Sequence, residues 1–321
     1  MSIAVAGAGA FGTALAISLA QAGQKVLLWG RDAAKIAAAT EARENTSYLP
    51  GIPLPESITL TSDFADLAEI ETVLLSIPTQ KLGALAKDQQ SVLNGKSLVA
   101  CCKGIDLTQL VGPTTILQTI CPDSTVGILT GPSFAADIAR GLPTALTLAC
   151  ADEVAGEALQ QSLTTPNLRI YRTTDTLGAE LGGALKNVMA IACGAVMGAQ
   201  LGESARAALM TRGYAEMKRM AEALGARHET LSGLSGFGDL ALTCTSDQSR
   251  NYRFGQSLGR SEAFDPSITV EGAATAKAAS DLAVQHGIDM PITNAVAALA
   301  SGQVSVQDVL KALLSRPLKE E

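Results

Sequence analysis

Two lysines stand where an ammonium could move a proton rather than simply face water. Lys186 lies in Gly182-Gly-Ala-Leu-Lys-Asn187-Val-Met-Ala, a stretch otherwise short of charge. A lysine on a mostly apolar helix either reaches solvent along its stem or faces a polar cleft. In a cleft, desolvation and a second cation lower its pKa towards the range of a general acid. Lys103 follows an apolar strand and precedes Gly104, at that strand's carboxyl end, where a solvent-facing loop lysine is the plainer reading. The chain has 2 histidines, His228 and His286. The first sits in a polar segment after Gly225 and the second precedes a helix-ending glycine, so both read as exposed or capping residues. With no histidine cluster and no Cys-x-x-Cys pair, zinc-assisted chemistry is disfavoured and no metal is expected. Lys, Asp, Glu or Tyr must then supply the proton that a carbonyl oxygen needs when hydride reaches its carbon.

A second concentration of chemistry runs from Gly233 to Asn251. Its glycines suggest a loop with exposed backbone N–H groups. Ser249-Arg250-Asn251 supplies hydroxyl, guanidinium and amide donors together, a set suited to a phosphate or another polyoxygenated anion. Asp239 could orient a catalytic ammonium or accept from a substrate hydroxyl. The plainer alternative is a glycine loop with Ser249 capping a helix.

The hydride source is suggested at the start of the chain. The apolar run Ile3-Ala-Val-Ala flows into Gly7-Ala-Gly9-Ala-Phe-Gly12, then into the helix-forming Thr-Ala-Leu-Ala-Ile-Ser-Leu-Ala, then into Lys25-Val-Leu-Leu-Trp29. Strand, glycine turn, helix and strand in this order form the dinucleotide fingerprint, with the helix N-terminus receiving the pyrophosphate. Gly7 allows the tight turn, Gly9 lets a phosphate approach the backbone, and Gly12 lets helix and strand pack closely. Beyond Trp29-Gly30, Arg31 stands where an acidic residue would bind the ribose 2′-hydroxyl of NAD. A guanidinium suits a 2′-phosphate, which favours NADP(H) while NAD(H) use stays open, since Asp32 could take the acidic role.

These residues need elements to hold them. Further strand segments are Ile58-Thr-Leu, Thr72–Ile77, Ser97–Cys101, Thr125–Leu129, Thr144–Ala149 and Leu168–Tyr171, separated by helical stretches. Continuous apolar strands of this kind predict a parallel sheet covered on both faces. From about residue 177 the strand signals stop, and helical patterns occupy 178–199, 204–224, 271–286, 291–300 and 305–315. The expected organisation is an α/β Rossmann-type domain over 1–176 followed by an all-α domain over 177–321. The 321 residues suffice for two cores. An apolar fraction of 47% with only 3% aromatics means that Ala, Leu, Ile and Val must build the interior. A net charge of −7 disfavours nucleic acid and anionic membranes as partners. Several of the 6 cysteines lie in apolar runs, and most read as buried thiols of a reducing cytosol. A strand beginning at residue 2 or 3 leaves no room for a signal peptide, and no apolar run reaches the ~18 residues of a membrane span. Asn45-Thr-Ser fits the glycosylation pattern, which has no meaning without secretion.

Taken together the motifs resemble the NAD(P)-dependent glycerol-3-phosphate dehydrogenases of bacteria. The likeness covers nearly the whole chain. It is carried by Gly7–Ala16, Leu28–Asp32, Asn45…Tyr48-Leu-Pro-Gly51, Lys103-Gly-Ile105, Gly131–Ala135, Gly141–Ala145, Leu185–Val188, Thr211-Arg-Gly213, the Gly233–Asn251 block and Val270-Glu-Gly272. The resemblance implies reversible reduction of dihydroxyacetone phosphate to sn-glycerol 3-phosphate, the entry to the glycerophospholipid backbone. It also implies a 6-phosphogluconate dehydrogenase-like helical domain. By family likeness Lys186 transfers the proton, Lys103 polarises the substrate and touches the cofactor, and Asn187 and Asp239 complete the catalytic cluster. Gly131, Ser133, Ser249, Arg250 and Asn251 contact substrate. Gly7, Gly9, Ala10, Phe11, Gly12, Arg31, Ala135, Arg250, Thr269 and Glu271 contact cofactor. Cys102, Thr79 and Ser204 depart from the family's usual Ser or Thr, Ser, and Asn. A cytoplasmic chain acting on a small molecule is implied, and the small-residue helix Gly178–Ala199 can pack within one chain or between two, which admits a homodimer. A related hydroxy-acid dehydrogenase and a non-catalytic NAD(P) sensor are the other readings. The phosphate-suited triplet weighs against the first, and the two lysines with Asp239 weigh against the second.

Overall fold

Alternate residues of the first strand, β1 (Ser2–Ala6), serve two cores. Ile3 and Val5 join one apolar cluster and Ala4 and Ala6 the other, so both faces of the sheet are covered. The structure is a computed structural model that describes residues 2–315. Seven more strands follow: β2 (Lys25–Trp29), β3 (Ile58–Thr61), β4 (Thr72–Leu75), β5 (Ser97–Ala100), β6 (Thr125–Thr130), β7 (Thr144–Cys150) and β8 (Leu168–Thr173). They form one 8-stranded sheet in the order β3-β2-β1-β4-β5-β6-β7-β8. The order reverses direction between β1 and β4, and ligands of open α/β sheets bind beyond the strand ends at such a point.

Pairing is parallel except between β6 and β7, which run antiparallel. The parallel sheet expected from sequence is present with this one antiparallel pair, which the connection explains. Between these strands lies only the 5-residue helix Ala135–Ala139, too short to cross the sheet face and re-enter from the same end. Between β7 and β8 the 11-residue helix Glu153–Leu163 makes that crossing, and parallel pairing resumes.

The helices of this half are α1 (Ala10–Gln21), α2 (Ala33–Ala42), α3 (Thr79–Asp88), α4 (Gln90–Leu93), α5 (Pro113–Ile120), α6 (Ala135–Ala139) and α7 (Glu153–Leu163). The second half is helical: α8 (Thr176–Gly198), α9 (Glu203–Ala223), α10 (His228–Ser232), α11 (Asp239–Cys244), α12 (Arg250–Arg260), α13 (Glu271–His286), α14 (Pro291–Ala300) and α15 (Val306–Leu314). The chain forms two units, Met1–Lys103 with Val111–Glu180, and Gly104–Leu110 with Leu181–Glu321. The boundary falls inside α8.

Within the helical unit α8 packs backbone against backbone on α12. A Cβ on Gly194 would lie 2.0 Å from the Tyr252 carbonyl oxygen, and one on Gly255 would lie 2.1 Å from that of Ile191. The small-residue stripe is thus used inside the chain. Among the described residues α8 is the one helix long and apolar enough to cross a membrane, and 89% of its most apolar window is buried in the protein.

Two buried carboxylates close helix ends from a distance. Glu216 accepts from the backbone N–H groups of Ile292 (2.6 Å) and Thr293 (3.0 Å) and from the Thr293 hydroxyl, at the start of α14. Glu180 accepts from the Thr114 N–H at 2.5 Å, at the start of α5. Each helix opens with proline, which has no N–H to offer, so the carboxylate serves the orphan donors that follow. Burial pushes the Glu180 carboxyl up from 4.5 to about 7 against the opposing effect of the Thr114 bond, and burial raises Glu216 too. A folded carboxyl that binds its proton more tightly than the unfolded one destabilises the fold as pH rises through that window. Glu180→Gln should therefore gain thermal stability relative to wild type as pH rises from 4.5 to about 7, then level off. Melting curves across this range would contradict the assignment if the difference between the two proteins stayed constant.

Candidate active site

In the sheet unit the chain leaves β1 through Gly7, whose φ of +123° is open to glycine alone. A Cβ there would lie 2.2 Å from the Ser76 carbonyl oxygen beyond β4, and one on Gly12 would lie 2.0 Å from the Gly7 carbonyl oxygen. The three glycines differ in this respect, since the space over Gly9 is open to 4 Å. Gly9 is the N-cap of α1, and no side chain caps that helix end. An open glycine before a helix start without a side-chain cap is a cradle for an anion, so these residues fit the pyrophosphate of a dinucleotide.

At the end of β2 the side chain of Asp32 is engaged as a helix cap. Its Oδ1 accepts from the N–H groups of Ala34 and Lys35, both at 3.1 Å, and opens α2. Arg31 beside it is exposed. Beyond β5 and β6 three of the sequence-predicted residues converge: Lys103 Nζ donates to the Gly131 carbonyl at 3.1 Å, and the Ser133 hydroxyl donates to the same oxygen at 3.2 Å. Ala135 follows as the first residue of α6.

The helical unit supplies the buried charge. Lys186 and Asn187 are consecutive on α8, and Asp239 opens α11. Lys186 Nζ lies 3.0 Å from Asp239 Oδ1 and donates to Thr243 Oγ1 at 2.8 Å. The Thr243 hydroxyl in turn donates to Asp239 Oδ1 at 3.2 Å. Relative exposures of 7%, 0% and 3% for Lys186, Asp239 and Thr243 keep this triangle away from bulk water. Thr243 was not among the residues predicted from sequence. Its signal is the spacing of four from Asp239, which puts both on one helical face.

That signal depends on reading the segment as helix, and here the structure differs from the expected glycine loop. Leu234–Gly238 is a single π-helical turn between α10 and α11, closed by Gly238 N–H to the Gly233 carbonyl at 3.1 Å. Such turns insert one residue and re-aim those that follow. Close packing favours the winding, because Gly182 of α8 leaves room for the Ser235 carbonyl, 2.4 Å from where its Cβ would be.

Ser249 does cap α12, accepting from the Tyr252 N–H at 3.2 Å. Asn251 links two elements: its Nδ2 donates to Asn187 Oδ1 at 2.9 Å, and its Oδ1 accepts from the Gly272 N–H at 3.0 Å. Lys186 and Asn187 thus carry two neighbouring networks on one helix turn. Arg250 and Thr269 are exposed, and Glu271 is the first residue of α13. His228 is exposed in α10, and His286 ends α13 before the left-handed Gly287, as expected from sequence.

All six cysteines are buried free thiols. Burial and the adjacent Cys193 thiol push Cys244 well up, with Lys186 opposing, and burial pushes Cys101 up to about 12. Thiols held protonated in this way are inert as nucleophiles. Among the described residues no three His, Cys, Asp or Glu side chains gather in a group that could hold a metal ion.

A glycine-turned nucleotide sheet followed by a helical unit with a buried ammonium–carboxylate pair defines the class, a two-unit nicotinamide-nucleotide oxidoreductase. Comparison with known proteins narrows it. Residues 2–155 match the family model of the NAD-dependent glycerol-3-phosphate dehydrogenase N-terminus, and 175–311 match that of its C-terminus. The chain belongs to the NAD-dependent glycerol-3-phosphate dehydrogenase family. It is 60% identical over 321 residues, 100% of each chain, to the glycerol-3-phosphate dehydrogenase (NAD(P)+) of Ruegeria sp. (strain TM1040). It is 61% identical over 319 residues, 99% of this chain and 100% of the other, to that of Cereibacter sphaeroides. The crystal structure of glycerol-3-phosphate dehydrogenase from Coxiella burnetii superimposes with a TM-score of 0.93 at 34% identity, covering 98% of this chain and 99% of that one.

Removing one member of a buried ion pair strands the other, at a cost of about 3–5 kcal/mol, whereas removing both is milder. Asp239→Ala is therefore expected to lower thermal stability more than the double change Asp239→Ala with Lys186→Met. Melting temperatures that fell additively would show that the two groups do not depend on each other.

Proposed function

We propose that this chain reduces dihydroxyacetone phosphate reversibly to sn-glycerol 3-phosphate in the cytoplasm, preferring NADPH, and so feeds glycerophospholipid synthesis. The observation that carries the reading is Lys186, a dry ammonium held by Asp239 and Thr243 in a chain of this family. When bound, the dinucleotide supplies hydride to the carbonyl carbon. Lys186 gives its proton to the carbonyl oxygen as charge builds there, and takes it back in the reverse direction. Asp239 and Thr243 fix the direction of the ammonium, and Asp239 compensates its charge while the proton is held. Asn187 orients Asn251, and Ser249, Arg250 and Asn251 bind the phosphate and glycerol oxygens. Lys103, Gly131 and Ser133 also contact substrate, with Lys103 polarising it.

Gly7, Gly9, Ala10, Phe11 and Gly12 receive the pyrophosphate, and Ala135, Lys103, Arg250, Thr269 and Glu271 make further cofactor contacts. Arg31 recognises the 2′-phosphate. Support for NADP comes from Asp32, whose Oδ1 caps α2 while the neighbouring guanidinium is exposed. The chain works as a homodimer or alone, without nucleic acid or membrane insertion.

Lys186→Met strands Asp239 and lowers the melting temperature, but the folded fraction should keep its dinucleotide affinity and lose about a thousandfold or more in kcat with dihydroxyacetone phosphate. Turnover near wild type would remove Lys186 from the mechanism. Arg31→Ala should raise KM for NADPH about tenfold while KM for NADH stays within about twofold. Equal changes for both cofactors would place the 2′-phosphate elsewhere.

A further inference from the structure

The carbonyl of Ala8, in the middle of the glycine turn, is held by a side chain from a distant stretch of the sequence. Asn45 Nδ2 donates to Ala8 O at 2.9 Å and to Thr13 Oγ1 at 2.8 Å. A carbonyl can only accept, so the amide is oriented with its NH2 towards the turn. One of its protons holds the turn and the other holds the first turns of α1. Asn45 is 7% exposed and Thr13 is 0% exposed, so water does not replace either bond.

The segment that delivers this amide is itself fixed. The Asn45 carbonyl accepts from the N–H groups of Tyr48 (3.1 Å) and Leu49 (2.8 Å). Leu54 N–H donates to the Arg43 carbonyl at 2.7 Å, and Gly51 N–H donates to the Glu44 carboxylate at 2.8 Å. Leu49 and Leu54 then pack into the same core as Leu15 and Ile17 of α1. The platform and the helix it grips share one apolar foundation.

A trans peptide points its N–H opposite to its C=O. Holding the Ala8 carbonyl towards Asn45 therefore turns the Gly9 N–H away from Asn45. The bond to Thr13 ties α1 to the same amide, so the N–H groups of Gly9, Ala10 and Phe11 keep one mutual orientation. We propose that Asn45 is a positioning residue, which holds the turn in the shape that presents these N–H groups to the phosphates of the dinucleotide. This rests on the reading of Gly7–Gly12 as the dinucleotide site. Asn45 touches neither cofactor nor substrate in this role and acts through the backbone.

The test is direct titration of the purified chain with NADPH, and separately NADH, followed by dinucleotide fluorescence. Asn45→Ala should weaken the dissociation constant about tenfold, with KM for the ketone at saturating dinucleotide unchanged within about twofold. Asn45→Asp should weaken it further, because it keeps the shape but sets an acceptor against the Ala8 carbonyl. A space-filling role predicts the reverse order, with Asn45→Asp the milder change. That order, dissociation constants within about twofold of wild type in both variants, or a ketone KM rising in parallel would each overturn the proposal. Should Asn45→Ala not fold, Thr13→Val removes one of the two bonds and should cost about threefold in dinucleotide affinity, an unchanged value counting against the proposal. Ala10→Asp tests the underlying reading separately: a carboxylate in the first turn of α1 suits the helix but repels phosphate. Undiminished binding there sinks the site itself, whereas loss there with no loss at Asn45 refutes the positioning role alone.

Discussion

Taking a lysine ammonium out of water costs several kcal/mol unless other charges and donors replace the solvent. Lys186 meets that condition through Asp239 and Thr243, and much of the helical unit's architecture follows from it. The carboxylate must arrive on a second helix at hydrogen-bonding distance, so α8 and α11 are brought together by a π turn seated over Gly182. The hydroxyl must lie one helical turn beyond the carboxylate, which the spacing of Asp239 and Thr243 provides. Glycines on α8 and α12 let their backbones approach, and this sets Asn187 beside Asn251. A charge that would destabilise an ordinary core here organises one.

Carboxylates and a hydroxyl close helix starts elsewhere in the chain. Glu180 and Glu216 satisfy the first donors of α5 and α14, while Asp32 and Ser249 do so locally for α2 and α12. At α1 the pattern is reversed. Its N-cap is a glycine, no side chain caps it, and Asn45 grips the carbonyl side of the turn instead of its N–H side. Unsatisfied donors at a helix start carry a free-energy penalty unless water or a ligand completes them. An anionic cofactor is the group that fits such an end.

Much of this was legible in the sequence, and what was hidden has physical reasons. The glycine turn, the eight strand segments and the apolar face of α8 are written in local residue patterns. The reversal at β7 is not, because an apolar strand reads alike in either direction and only its connection lengths decide. The Gly233–Asn251 block has the composition of a loop, but close backbone packing on α8 accompanies helical winding of its first part, residues 234–244, which is why Thr243 escaped notice. Lys186, Asn187, Asp239 and Asn251 were visible as residue types, and the fold joins them as two networks on adjacent residues of α8. Asn45 stood within a recognisable motif, yet its role lies in a bond to a residue 37 positions away. Ser249 was read both as a cap and as an anion contact, and the cap is what the structure displays.

The central claim is that a phosphorylated ketone receives hydride from the dinucleotide and a proton from Lys186. The most direct measurement follows NADPH and NADH oxidation by the purified protein with dihydroxyacetone phosphate, unphosphorylated dihydroxyacetone and a 2-keto acid in parallel. The account predicts turnover of dihydroxyacetone phosphate with kcat/KM about a hundredfold or more above that of the unphosphorylated ketone. No oxidation with dihydroxyacetone phosphate, alongside turnover of the keto acid, would contradict it.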